Sequence, residues 1–160
     1  MCRMRFWSAA ISMVICGCAT TQPARIDQTS DVGQYRFIVI EDTPSITGFA
    51  AKDGDAVGKE VNPATLMEGL LLKKGLVRVR KDEVRDESQL LILRWGISGK
   101  RNQPAHMALL GMGGYAQEVT ITLLDGRSLQ PVFTCTAEGY GTTEADDIRE
   151  AIASCLSGLK

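Results

Sequence analysis

Residues 117–140 read QEVTITLLDGRSLQPVFTCTAEGY, and their alternation sets the fold class. Val119, Ile121 and Leu123 fall on one side of an extended chain, Thr120 and Thr122 on the other. A period of two marks a half-buried strand. Asp125-Gly126, a favoured hairpin pair, then reverses the chain. On the return, Phe133, Cys135 and Ala137 oppose Thr134 and Thr136. Threonine on both outer faces suits an antiparallel sheet covered on one side only.

Downstream, TTEADDIREAIASCLSGLK (142–160) switches to a helical period. Thr143 and Asp146 make a capping-box pattern, and Glu144 and Asp147 bring negative charge to the first turn. Ile148, Ile152, Cys155 and Leu159 form its apolar stripe. Upstream, QLLILRWGISGKR (89–101) places Leu91, Leu93, Trp95 and Ile97 on one face of a strand. KDEVRDES (81–88) reads as a solvated connection, and LVRVR (76–80) as a half-buried strand. Asn62-Pro63 starts a helix, because Asn accepts from free amides and Pro lacks only an N–H that had no partner. Leu66, Met67, Leu70 and Leu71 form its apolar face, and Gly75 supplies a left-handed cap. Residues 42–61, with Pro44, Gly48, Gly54 and Gly58, read as a long mobile loop. DGDAVG within it lacks the ligand positions of a calcium loop. YRFIVIE (35–41) is the first strand. The expected order is β-α-β-β-β-β-α: an α+β two-layer sandwich, with a mostly antiparallel sheet of about five strands and two helices on one face.

The amino terminus supplies an address. Arg3 and Arg5 precede an apolar stretch from Phe6 to Ile15, the layout of a secretory signal and too short to span a membrane. Ile15-Cys16-Gly17-Cys18 resembles the lipobox of bacterial lipoproteins, with Cys16 where Ala or Ser is more usual. The resemblance implies cleavage between Gly17 and Cys18, diacylglyceryl attachment to the Cys18 thiol and acylation of the new amino terminus. Several acyl chains anchor a protein where one holds it marginally. Ala19, rather than Asp, follows the cysteine, which by analogy points to the outer membrane, on its periplasmic face. The expected division is 1–17 signal peptide, 18–34 lipidated cysteine and polar tether, and 35–160 one domain.

With 18 basic and 19 acidic residues and a formal charge of −1, the chain has none of the basic bias of a nucleic-acid binder. Three of the five cysteines belong to the leader and anchor. Cys135 and Cys155 remain, both on core faces, in an oxidising compartment: either a disulfide between last strand and last helix, or two buried thiols acting as small hydrophobes. The single histidine, His106, has no G-x-S-x-G elbow or cluster of His and Cys with it, so nucleophilic and metal chemistry lack their residues; no metal and no cofactor are expected. Glu138, Glu144, Asp146 and Asp147 invite a reading as paired catalytic carboxylates, but a capped helix start explains Glu144, Asp146 and Asp147 more simply. Lys100 and Arg101 precede Met107, Leu109, Leu110 and Met112 in the 98–116 connection, where flexible apolar side chains beside positive charge suit a protein partner or a lipid surface. The alternative is a longer hairpin tucking those side chains onto the core.

SGKRN (98–102), GGYAQEVTI (113–121), CTAEGYGTTEADDIREAI (135–152) and the lipobox together resemble small lipoproteins of uncharacterised function from bacteria with outer membranes. That family implies no catalytic residues. The expectation is a non-enzymatic, anchored accessory protein that binds an envelope component through a sheet edge or the 98–116 connection. The alternative is a glycan or lipid carrier using the sheet face opposite the helices, or a cleft beside residues 42–61.

Overall fold

The computed structural model describes residues 22–52, 55–102, 115–141 and 143–160. Its strands are β1 (Arg25–Gln28), β2 (Phe37–Ile40), β3 (Ile46–Lys52), β4 (Asp55–Val61), β5 (Val77–Arg78), β6 (Leu90–Asn102), β7 (Tyr115–Asp125) and β8 (Pro131–Gly139). Its helices are α1 (Pro63–Leu72) and α2 (Glu144–Ser157). Six strands form one sheet in the order β1-β8-β7-β6-β2-β5, and β3-β4 make a separate hairpin.

The fold is α+β, but the sheet is mixed. β1, β8, β7 and β6 pair antiparallel, as the threonine alternation required. β2 instead pairs parallel with both β6 and β5. The reason is the path between them: α1 lies between β2 and β5, and a strand-helix-strand crossover returns the chain in its original direction. β2 is correspondingly apolar throughout, with Ile38 and Ile40 buried and Phe37 and Val39 half-buried.

Two stretches read as irregular are strands. Arg25–Gln28, expected in the tether, is the edge strand of the main sheet, with Arg25 opposite Thr136 and Gln28 opposite Phe133. Its pairing comes from backbone groups that every sequence carries, so RIDQ, with one apolar side chain, gives no periodic signal. Residues 46–52 and 55–61, expected as loop, are the paired strands β3 and β4, with Lys52 opposite Asp55. Small residues (Gly48, Ala50, Ala51, Ala56, Gly58) hide the alternation there.

Both helices are capped as expected. Asn62 Oδ1 accepts from the Thr65 amide at 3.0 Å; Gly75 has φ 86°; Thr143 Oγ1 accepts from the Asp146 amide at 3.2 Å. Met67 and Leu71 of α1 and Ile148, Ile152, Cys155 and Leu156 of α2 join one apolar cluster with Ile38, Ile40, Leu91, Leu93, Val119, Ile121, Leu123, Phe133 and Ala137. α2 lies against β7, β8 and the β3–β4 hairpin, and α1 against β5 and α2. Burial fades along β6: Leu91 and Leu93 are buried, Trp95 is half-buried, and Ile97, of the same parity, is 46% exposed. The register also shifts between Ile97 and Gly99.

The β7–β8 reversal is not a two-residue turn at Asp125-Gly126. It runs from Asp125 to Pro131, with Leu129 at φ 58°. Asp125 Oδ1 accepts from the amides of Arg127 (3.1 Å) and Ser128 (2.7 Å), and the Gly126 amide donates to Leu90 O at 2.8 Å. The side chain of Asp125 organises the longer loop.

Candidate functional site

Cys135 on β8 and Cys155 on α2 form a disulfide, with Cα atoms 5.6 Å apart. Both are fully buried. Strand parity turns Cys135 toward the helix layer, and helical spacing puts Cys155 on the stripe of Ile148 and Ile152. Gly17 and Cys18 lie outside the described residues, as do His106, Met107, Leu109, Leu110 and Met112. Lys100 and Arg101, expected in a connection, are in β6, opposite Gln117 and Ala116.

The acidic residues at the start of α2, and Glu138 at the end of β8, are each engaged. Asp146 pairs with Lys59 at 2.8 Å and Arg149 at 3.1 Å, so it ties the β3–β4 hairpin to α2. Glu144 accepts from Gln117 Nε2 at 3.1 Å, and Glu138 from Tyr140 O–H at 2.7 Å. Asp147 is 5% exposed and accepts from the Gly141 amide. Burial pushes its carboxyl from the ordinary 3.8 up to about 6; the Gly141 amide opposes the shift, while Glu150, Asp146 and Glu144 add to it.

This predicts a pH dependence. Protonated Asp147 favours the folded state, so its contribution is complete below about pH 4 and is lost as pH rises through about 6. Stability is expected to fall by up to about 3 kcal/mol across that window. Asp147→Asn keeps a carbonyl acceptor for Gly141 and removes the charge. Urea unfolding at several pH values is expected to show a flatter profile for this variant and higher stability than the wild type at pH 7.

On the face away from the helices, polar side chains are linked across four strands. Arg25 pairs with Glu118 at 3.0 Å; Ser98 O–H donates to Glu118 at 2.9 Å; Thr120 O–H donates to Ser98 at 2.9 Å; Thr120 and Thr136 hydroxyls are 2.9 Å apart. This surface carries shallow depressions of about 390 and 200 Å³, and the polar groups just named are hydrogen-bonded to one another.

The larger depressions among the described residues lie elsewhere, where the parallel strands β5 and β2 end beside the middle of β6. Two adjoining clefts share Glu41 and Asp42 as a wall. One, of about 410 Å³, is lined by Glu41, Asp42, Thr43, Leu93, Arg94 and Trp95. The other, of about 570 Å³, runs from Val39 past Arg78 to Glu83. Arg78 stands behind the wall: its guanidinium donates to Asp42 at 2.6 Å, Glu68 at 2.9 Å and Ile40 O at 2.9 Å. These acceptors raise its pKa further, so the cation is permanent and Asp42 is held in place. Among the described residues, no group of three His, Cys, Asp or Glu side chains is placed to hold a metal ion, and no helix is long and apolar enough to cross a membrane.

The molecule's architecture resembles that of solved structures. The chain is similar to a leucine-to-methionine variant of the PelC dodecamer from Paraburkholderia phytofirmans, at TM-score 0.52 and 15% identity, over 87% of this chain and 99% of that one. A second PelC dodecamer structure from the same organism gives TM-score 0.50 and 13% identity, over 86% and 96%. At these identities the likeness is one of fold. No protein-family model and no curated protein matches the sequence.

The cleft residues carry little signal in the sequence. Glu41 and Asp42 follow the end of one strand, Arg94 and Trp95 sit mid-strand in another, and Arg78 belongs to a third. Only the parallel pairing of Ile40 with Leu93 brings the first two groups together. The one readable hint is the Arg-Trp pair that follows the aliphatic run Leu90 to Leu93.

Proposed function

We propose that this protein is a non-enzymatic lipoprotein, held by acyl chains on Cys18 at the periplasmic face of a bacterial outer membrane, where it serves as an accessory or binding protein of the cell envelope. The observation that carries the reading is the Ile15-Cys16-Gly17-Cys18 motif after a basic and apolar leader. The placement of β1 agrees with it: the main sheet begins at Arg25, seven residues after Cys18, so a lipidated domain would sit within roughly 25 Å of the bilayer surface. The solved PelC proteins are dodecamers, and self-association of this chain is part of the proposal. The main sheet offers two edges for it, β1 and β5, on opposite sides of the molecule.

The test is direct. Mass spectrometry of the N-terminal peptide from membranes is expected to find an acylated Cys18, and Cys18→Ala is expected to move the protein from the membrane fraction to the soluble fraction. An unmodified amino terminus on a protein that is soluble without any substitution would overturn the assignment.

A second reading, a carrier of glycan or lipid, is favoured by the paired clefts at Glu41 and Asp42. The half-buried Trp95 gives the smaller of them an aromatic wall.

A further inference from the structure

We infer that the cleft between Glu41 and Trp95 is a saccharide-binding site, taking the pyranose rings of an oligosaccharide. The inference deepens the second reading above and does not depend on lipidation.

Its first support is position. From β2 the chain goes to β5 on one side, then back past β2 to β6 on the other. The strand order therefore reverses at β2. β2 stops at Ile40 while its neighbour β6 runs on to Asn102, so a notch opens where β2 ends beside the middle of β6. Glu41 and Asp42 are the first residues past the carboxyl end of β2, and both clefts open there. Each volume falls within the range typical of small-molecule sites.

The second support is the lining. Trp95 packs against the apolar cluster and is half-buried; the part of its ring left open brings π density, which attracts the polarised C–H groups on the apolar side of a pyranose ring. Glu41 supplies a planar acceptor pair, which matches vicinal hydroxyl groups, and Arg94, whose side chain leaves β6 on the face opposite Trp95, supplies a planar donor fork at the other rim of the notch. Neither Glu41 nor Arg94 has a partner among the described residues, and both are exposed. Asp42, in contrast, is fixed by Arg78, which is itself held by Glu68 and Ile40 O. Asp42 is itself 96% exposed, so the ion pair orients it at the rim without enclosing it, and two polar side chains remain available.

The third support is contrast with the rest of the surface. On the open sheet face the polar groups from Arg25 to Thr136 already satisfy each other. A ligand there would have to break hydrogen bonds before making its own. The cleft needs no such exchange.

The experiment is a titration of the protein with cellotetraose, chitotetraose and maltotetraose, followed by amide and indole NMR shifts. Trp7 lies in the leader, so after its removal the one indole N–H resonance reports Trp95. The expected result is millimolar binding of at least one tetrasaccharide, with shifts at Trp95 and at residues 41–43 and 93–95. Arg94→Ala and Glu41→Gln change exposed groups without touching the core, and each is expected to weaken binding about tenfold. Trp95→Phe, which retains a smaller ring, is expected to weaken it less than Trp95→Ala. Absence of binding by all three sugars overturns the proposal, as does binding that Arg94→Ala and Glu41→Gln leave unchanged. Neither outcome bears on the acylation test, so failure of this inference and failure of the anchoring proposal are distinguishable.

Discussion

Gly139→Val is expected to leave no stably folded domain, and Gly139→Ala to cost at least about 3 kcal/mol. Gly139 is the last residue of β8, and α2 crosses directly over it. A Cβ at this position would stand 1.7 Å from the carbonyl oxygen of Asp147, with the carbonyl carbon at 2.5 Å and Cα at 2.8 Å. The obstruction is helix backbone, so no rotamer change relieves it. To make room, α2 would have to lift from the sheet, exposing Ile148 and Ile152 and disturbing the hairpin tied to it through Asp146 and Lys59. Gly96→Ala is the control: its added Cβ meets nothing within 4 Å, and the expected change is within about 0.5 kcal/mol. Urea unfolding of the three variants by circular dichroism checks the claim; a Gly139→Ala protein as stable as the wild type would refute the packing argument.

The second large effect belongs to the disulfide. Double replacement of Cys135 and Cys155 by alanine is expected to destabilise the domain by about 3 kcal/mol, from lost constraint on an unfolded loop closed across a separation of 20 residues. Alanine is the right replacement, because serine would add buried hydroxyl groups to an apolar site. The loss is expected to appear as a lower urea midpoint with a somewhat larger slope, since the unfolded chain becomes less compact. Reduced wild-type protein should match the double variant to within the difference in side-chain packing. A variant unfolding at the wild-type midpoint would mean that the bond contributes little. Because the bond joins α2 to the same strand that ends at Gly139, the two predictions test one junction, at Cys155 and at Asp147.

Local pattern made the helices and the antiparallel half of the sheet legible. Asn62-Pro63, Gly75 and Thr143 act within a few residues of where they stand, and Val119 to Ala137 alternate over two strands facing one core. The same reasoning placed Cys135 and Cys155 on core faces, because strand parity and helical spacing are properties of the chain. It failed where pairing depends on partners remote in sequence. β1 has no apolar alternation; it exists because β8 presents an unpaired edge to its backbone. The β3–β4 hairpin packs against α2, formed about ninety residues later, and Lys59 finds Asp146 only there. Its sequence did hold one cue, Asp53-Gly54 between the paired Lys52 and Asp55.

The order of residues alone was thus enough for a leader resembling a lipobox signal, two capped helices, the hairpin strands around residue 125 and an apolar face for each, since these follow from steric and hydrogen-bonding preferences of near neighbours. It took the folded molecule to establish that β2 runs parallel between β5 and β6, that Asp147 is buried beside Gly141, and that Glu41, Asp42, Arg94 and Trp95 share one cleft. Each of those depends on which backbone lies next to which, and that is settled when the whole core closes and not within any one segment.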